Sequence, residues 1–262
     1  VVEVLGGEEP AHTLIERALR AGKPVVTANK ETLAKHGGAL FPLAVARRVP
    51  LLCEASVGGG IPLFAALRQV QAANAITAFR GIVNGTTNFI LSAMAEHGTS
   101  YADALAEAQR LGYAEPDPTA DVEGFDATYK ACVLAQVCFG VAVAPESVAR
   151  TGIGGVSAEQ ITEAMASGEV IKLLAQGSFA DGVVSLSVAP ARVAAGSSLG
   201  STNANYNAIE LTGDRVGPVL LVGQGAGPRP TASAILSDIV DAARVILGAP
   251  PEPYFVHLGG TR

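Results

Sequence analysis

The sequence predicts an open α/β domain followed by a mixed α+β domain. Three observations carry this reading. Short apolar runs in residues 1–56 alternate with helical patterns, the spacing of parallel βαβ units. Beyond residue 57, helices come in one block and strand-rich stretches in another. Of the 262 residues 49% are hydrophobic and 16% charged, which suffices for a large core and a length between one domain and two.

The elements follow in order. VVEVL (1–5) reads as a strand, and Glu8 to Ala21 as a helix stopped by Gly22. PVVTAN (24–29) is a strand. Lys30 to Arg48 is a helix weakened in its middle by Gly37 and Gly38, and PLLCEAS (50–56) is a third strand. In the second domain, 61–73 reads as a helix and 75–85 as a strand. TTNFILSAMAEHG and SYADALAEAQRLG read as helices closed by glycine. A helix around Asp126–Phe139 follows, then an irregular stretch from Gly140 to Gly155 and a helix over 157–168. VIKLLAQGSF, GVVSLSVAPARV, NAIELTGDR and GPVLLVGQG read as strands, and 232–248 as a last helix. We take 1–56 as the first domain and 57–231 as the second. The segment 232–250 is expected to pack back on the first, and 251–262 to form a surface tail.

Composition excludes several classes. The net charge is -6, and no basic tract or aromatic-plus-arginine run exists, so nucleic acid is not an expected partner. Mean hydropathy is +0.35, yet apolar runs break within about 10 residues, short of the roughly 20 that a membrane span needs. Cys53, Cys132 and Cys138 form no C-x-x-C pair and read as buried thiols of a reducing compartment. The start lacks the basic n-region of a signal peptide, and a cytoplasmic protein is expected.

Chemistry concentrates in GYAEPDPTADVEGFDATYKACVLA (112–135). Glu115, Asp117, Asp121, Glu123 and Asp126 precede a single base, Lys130. Pro116 and Pro118 hold a stiff turn, and Asp121 is the expected helix N-cap. Asp126 and Lys130 then lie one turn apart on a helix that continues into apolar sequence. A lysine there loses water, which lowers its pKa, while nearby carboxylates raise it again; such a group can exchange a proton. The acids could equally hold a ligand's ammonium group. An ordinary i,i+4 ion pair at a solvated helix start explains the same residues.

Other segments point to ligands less strongly. Lys30 follows a strand and enters a helix, the end of an open α/β sheet where ligands bind, although a surface lysine reads the same. EASVGGGIP (54–62) offers a carboxylate and inward-turned carbonyls suited to a hard cation, or only a tight connection. NGTTNFI (84–90) puts small polar residues at a helix N-terminus, where amides bind carboxylate or phosphate, or where Thr86 or Thr87 caps. GQGAGPRPTAS (223–233) matches no phosphate-binding motif. Together these pieces suit a small amino-acid-like ligand with a nucleotide partner.

VVTANKETLA, EASVGGGIP, GIVNGTTNFIL, GYAEPDPTADVEGFDATYK and GQGAGPRPTASAILSDI, in this order, resemble homoserine dehydrogenase. The resemblance runs to about residue 248, and the acidic segment is its most specific part. It implies a partial Rossmann-type nucleotide-binding domain joined to an α+β catalytic and dimerisation domain. It also implies reduction of L-aspartate 4-semialdehyde to L-homoserine by NADPH or NADH. By resemblance Lys130 is the proton donor, and Lys30, beside nicotinamide and substrate, is a second catalytic lysine that shares or holds that role. Glu115, Asp121 and Asp126 bind substrate. Glu54 with the carbonyls of Val57, Gly59 and Ile61 binds Na+ or K+. Gly225 and Gly227 touch the cofactor. Gly85 and Thr86 are assigned to the substrate carboxylate, on helix-terminus physics as much as resemblance. A homodimer is implied.

The family's opening strand and G-x-G-x-x-G turn do not appear here. VVEVLGGEEPAH resembles a later strand, so roughly 70 residues, the size of half a nucleotide domain, are expected to be absent. No C-terminal regulatory extension is expected. A non-catalytic dimer that binds an amino acid or cation is the alternative, as is a dehydrogenase of another small amino-acid aldehyde.

Overall fold

The first strands are short because only a few of their residues find partners. The computed structural model describes residues 1–249. β1 (Val2–Glu3), β2 (Val25–Thr27) and β3 (Leu51–Leu52) form a parallel sheet in the order β1-β2-β3, with Val2 opposite Val26 and Val25 opposite Leu51. The predicted runs were longer, and their outer residues lie beyond the ladder. The crossovers are α1 (Ala11–Arg20) and α2 (Lys30–Arg47). β2 is buried at all three positions, as a parallel strand covered on both faces must be.

Gly37 and Gly38 do not interrupt α2. A Cβ on Gly37 would meet Gln136 Oε1 at 2.0 Å, so this glycine permits close approach of another helix. After β3 the chain makes a short turn at Glu54–Ser56, a glycine loop at 57–61, and α3 (Leu63–Gln71).

The second sheet is built from β4 (Ile76–Ile82), β5 (Ala149–Arg150), β6 (Glu169–Ala180), β7 (Val183–Ala194), β8 (Tyr206–Gly213) and β9 (Gly217–Gln224). Its order is β5-β7-β6-β4-β8-β9, antiparallel except for β5 with β7. Between β4 and β5 come α4 (Gly85–His97), α5 (Tyr101–Arg110), the one-turn α6 (Thr119–Val122) and α7 (Phe125–Phe139). α8 (Ala158–Ala166) precedes β6, and α9 (Pro228–Ile246) follows β9. The stretch 140–155, expected to be irregular, holds the short strand β5. The last helix starts four residues earlier than expected, taking in Pro228 and Pro230 at its first turn, where missing N–H groups cost nothing.

α7 is apolar on nearly every side. Ala127, Ala131, Cys132, Val133, Leu134 and Ala135 are all buried, because the helix runs between α2 and the faces of β6 and β7. Left-handed glycines bracket it, Gly124 before and Gly140 after. α9 lies against β2 and the 54–56 turn, and its buried Asp238 accepts a hydrogen bond from the Glu54 amide at 2.9 Å. The tail 251–262 lies outside the described residues. Among the described residues no helix is long and apolar enough to cross a membrane, and all three cysteines are free and buried.

Candidate active site

The start of α7 faces the start of α2, and this meeting brings two lysines to one acid. Asp126 and Lys130 stand one turn apart, with Lys130 Nζ 2.7 Å from Asp126 Oδ2. Lys30, the first residue of α2, reaches Asp126 Oδ1 at 2.8 Å. Lys130 Nζ also donates to the Val83 carbonyl at 2.7 Å. Asp126 and Lys130 are buried, whereas the Lys30 side chain is 43% exposed. The apolar sequence of α7 buries its own ion pair, while Lys30 sits at a strand-to-helix junction that stays open.

A second carboxylate is tied in by α4. Asn84, the N-cap of this helix, donates to Asp121 Oδ1 at 2.7 Å and to Asp126 Oδ2 at 2.9 Å. Its Oδ1 accepts from the Thr87 amide at 2.9 Å, and its carbonyl from the Asn88 amide. Thr86 Oγ1 lies 2.6 Å from the Tyr113 carbonyl and 3.0 Å from Asp121 Oδ2. The cap is thus Asn84 rather than Thr86 or Thr87. Asp121 is not an N-cap either; it lies inside α6, which is capped at Pro118, and its carboxylate turns to Asn84 and Thr86.

The charges set the proton affinities. Burial pushes Lys130 down, and the neighbouring Lys30 cation adds to this; Asp126 opposes, but the net shift is downward. Burial would raise Asp126, but Lys130 and Lys30 outweigh it and hold the carboxyl well below its usual range. Lys30 is raised, chiefly by Asp126. Of the two amines, the buried one therefore gives up its proton more readily.

Glu115 does not join this cluster. It is exposed on the loop before α6, its carbonyl accepts from Gln109, and among the described residues its carboxylate has no hydrogen-bond partner. Glu54 also differs from a free cation ligand. Burial raises its pKa, and its two oxygens accept from the Phe64 and Ala65 amides at 2.8 and 3.0 Å, capping α3. Gly59 and Gly225 meet where the two glycine loops cross: a Cβ on Gly59 would lie 2.5 Å from the Gly225 carbonyl. Gly227, with φ +116°, leads into α9. Among the described residues no group of three or more His, Cys, Asp or Glu is placed to hold a metal.

Two residues of this region escaped the sequence reading. Asn84 was legible in principle, since Asn leads the N-cap preferences, but the adjacent threonines compete for the role. Asn207 carried no signal. It is fully buried in β8, both its amide atoms lack partners among the described residues, and it sits directly beneath Gly225.

A parallel sheet with a lysine at its carboxyl end, set against a second domain whose buried helix supplies another lysine and its acids, is the architecture of an NAD-binding domain joined to a catalytic domain. The profile of the homoserine dehydrogenase NAD binding domain matches residues 1–54, and that of homoserine dehydrogenase matches residues 62–240. The chain belongs to the homoserine dehydrogenase family. It is 47% identical over 249 residues to the homoserine dehydrogenase of Corynebacterium glutamicum, covering 93% of this chain and 56% of that one. The crystal structure of a homoserine dehydrogenase from Thiobacillus denitrificans superposes with a TM-score of 0.91 at 44% identity, over 95% of this chain and 58% of the other. A hyperthermophilic archaeal homoserine dehydrogenase in complex with NADPH gives 0.80 at 32% identity, over 92% of this chain and 71% of that one. The chain thus spans a little over half the length of the curated relatives it matches.

Proposed function

We propose that this chain acts in the NAD(P)H-dependent, reversible reduction of L-aspartate 4-semialdehyde to L-homoserine, on the route to threonine and methionine. The observation that carries the proposal is the buried Lys130–Asp126 pair joined by Lys30. In the reduction, Lys130 donates its proton to the aldehyde oxygen as negative charge grows there, and its lowered proton affinity suits that step. Lys30 keeps its proton and steadies the same oxygen. Asp126 orients both amines, and Asp121 takes the substrate's ammonium group; Glu115, exposed on the loop before α6, would have to turn inward to join it. The substrate carboxylate is assigned to the amides of Gly85 and Thr86. Asn84 occupies the next two amides of α4, so these two stand at the open end of the helix.

The nicotinamide cofactor, when bound, supplies the hydride. Lys30 and the crossing loops of Gly225 and Gly227 are the residues of this chain that would hold its reactive end. Their fit rests on the position of Lys30 beyond β2 and on glycines that let the backbone approach closely. A sodium or potassium ion suits the 54–61 turn through the carbonyls of Val57, Gly59 and Ile61. The buried Glu54 and Asp238 carboxyls stand at this turn; burial raises the pKa of both, Asp238 to about 7, and a bound cation would favour their ionised forms, while the Asn207 amide beneath the loops, unpartnered among the described residues, is a further polar group there. A homodimer is supported by the open face of the second sheet, where Arg80, Gln176 and Glu210 line a shallow cavity. Buried, reduced thiols suit the cytoplasm.

The test is nicotinamide absorbance on mixing the chain with NADPH and aspartate semialdehyde. Consumption of NADPH supports the reading. If L-homoserine is bound with no turnover, the chain is a binding module instead. If other hydroxy-amino acids are oxidised faster than homoserine, its substrate is a different small amino-acid aldehyde.

A further inference from the structure

Lys172 lies in the first half of β6 and is among the largest fully buried side chains of the described residues. Among the described residues no carboxylate touches its ammonium group. Its four acceptors are all neutral: the Thr202 carbonyl at 2.7 Å, Asn203 Oδ1 at 2.9 Å, Asn88 Oδ1 at 3.0 Å and Ser92 Oγ at 3.3 Å. Burial lowers its pKa to about 8, opposed only by Glu96 of α4. A buried cation without an anion is a costly choice for a core strand, where an apolar side chain would pack without loss. The four acceptors show what the group does there. Two belong to α4 and two to the connection from β7 to β8, so the amine is the point where these are fastened together.

That connection bears on the candidate site. Asn88 Nδ2 donates to both the Thr202 and Tyr206 carbonyls at 3.0 Å, a second stitch between the same two pieces. Asn205 presses on the first residue of α4, since a Cβ on Gly85 would lie 2.8 Å from its carbonyl oxygen. The first turn of α4 is where Asn84 and Thr86 hold Asp121 and Asp126.

We propose that Lys172 is a positioning residue. By clamping the 198–206 connection onto α4, it fixes the first turn of that helix, and through Asn84 and Thr86 it sets the two carboxylates that face the substrate. It touches no reacting atom. Its effect on substrate rests on the homoserine reading above, while its effect on α4 does not.

The experiment uses the full chain with Lys172→Met, which keeps length and apolar bulk, and Asn203→Ala, which removes one exposed acceptor and leaves the core strand intact. Amide hydrogen exchange is followed at Thr87, Asn88 and Tyr206 and, as a control, along β6 and β7. In Lys172→Met, exchange at the first three is expected to accelerate at least tenfold, with β6 and β7 within twofold of the parent. In Asn203→Ala the same pattern is expected at about threefold. Homoserine KM is expected to rise about tenfold in Lys172→Met with kcat within threefold. Parent rates at Thr87 and Asn88 in both variants would overturn the proposal, as would uniform acceleration through the sheet. Should Lys172→Met fail to fold, the Asn203→Ala pattern decides. A parent chain that neither binds nor turns over homoserine would sink the homoserine reading, and the exchange pattern would still decide the role of Lys172.

Discussion

Lys130 and Lys30 hold opposite oxygens of the Asp126 carboxylate, at 2.7 and 2.8 Å, although 100 residues separate them and they belong to different domains. One negative charge is shared by two amines, one buried and one at the surface. The buried amine is driven down in proton affinity and the surface amine up. In the proposed reduction this splits the roles: one group would release a proton, the other would supply fixed positive charge.

Replacing Lys130 by Ala is expected to lower kcat by about 10²–10⁴ with little change in circular dichroism. Lys30 and Asn84 still engage Asp126, so the carboxylate is not abandoned. Steady-state rates in both directions check this, and parent-like turnover would remove Lys130 from the chemistry.

The pH profile follows from the same shift. In the proposed reaction Lys130 would be protonated for reduction and neutral for oxidation. Since its pKa lies below the ordinary lysine value, reduction is expected to fall with rising pH earlier than an exposed lysine would allow, and homoserine oxidation to rise over the same range. Asp126→Asn removes the anion that raises Lys130, so both limbs should move to lower pH.

Stability should respond to Asp126 in the acid range. Its folded pKa lies below the unfolded value, so the contribution is complete above the unfolded value of about 3.9 and is lost as pH falls toward the folded one. Breaking a buried pair costs about 3–5 kcal/mol, and Asp126→Asn should lower the urea midpoint accordingly at pH 7. An acid limb of stability that is the same in parent and variant would contradict this.

The legible parts of this protein were those fixed by neighbours in sequence. α7 was readable because an unbroken apolar run sits between Gly124 and Gly140, and the Asp126–Lys130 pair follows from helical spacing alone. β1 and β3 were over-read, because strand length depends on how far the partner extends and not on the apolar run. Lys172 was hidden inside VIKLLAQ, since its acceptors lie 30 to 84 positions away and are neutral. Glu115 was named a substrate ligand by resemblance, and in the structure it is exposed on the loop before α6, apart from the hydrogen bonds that join Asp121 and Asp126. Asn207 was hidden for the reason Lys172 was: its surroundings come from another strand and a distant loop.

Glu54 provides a test that separates a structural carboxylate from a cation ligand. Both its oxygens accept amides at the start of α3, and Glu54→Gln replaces one acceptor by a donor. An amide of α3 would then face an N–H group, at a cost of about 1–3 kcal/mol. Stability is therefore expected to fall whether or not a cation binds. The proposed ion adds a second effect: the increase of melting temperature on adding sodium or potassium should shrink in the variant, because the carboxyl that the proposed cation site would use has gone.

The crossing of the glycine loops gives the sharpest steric expectation. Gly59 has φ +55°, and a Cβ there would lie 2.5 Å from both the carbonyl carbon and oxygen of Gly225. Backbone cannot swing aside as a side chain can, so Gly59→Ala must separate the loops or unwind the turn after Glu54. Strain of this kind costs about 1–3 kcal/mol. The crossing meets the second sheet at the end of β9, where the Gly60 amide donates to the Gln224 carbonyl, so the variant is expected to keep most of its β-sheet signature while losing affinity for NADPH by tenfold or more. Titration of nicotinamide fluorescence measures the loss. Parent-like affinity in a folded Gly59→Ala chain would mean that the crossing plays no part in holding the cofactor.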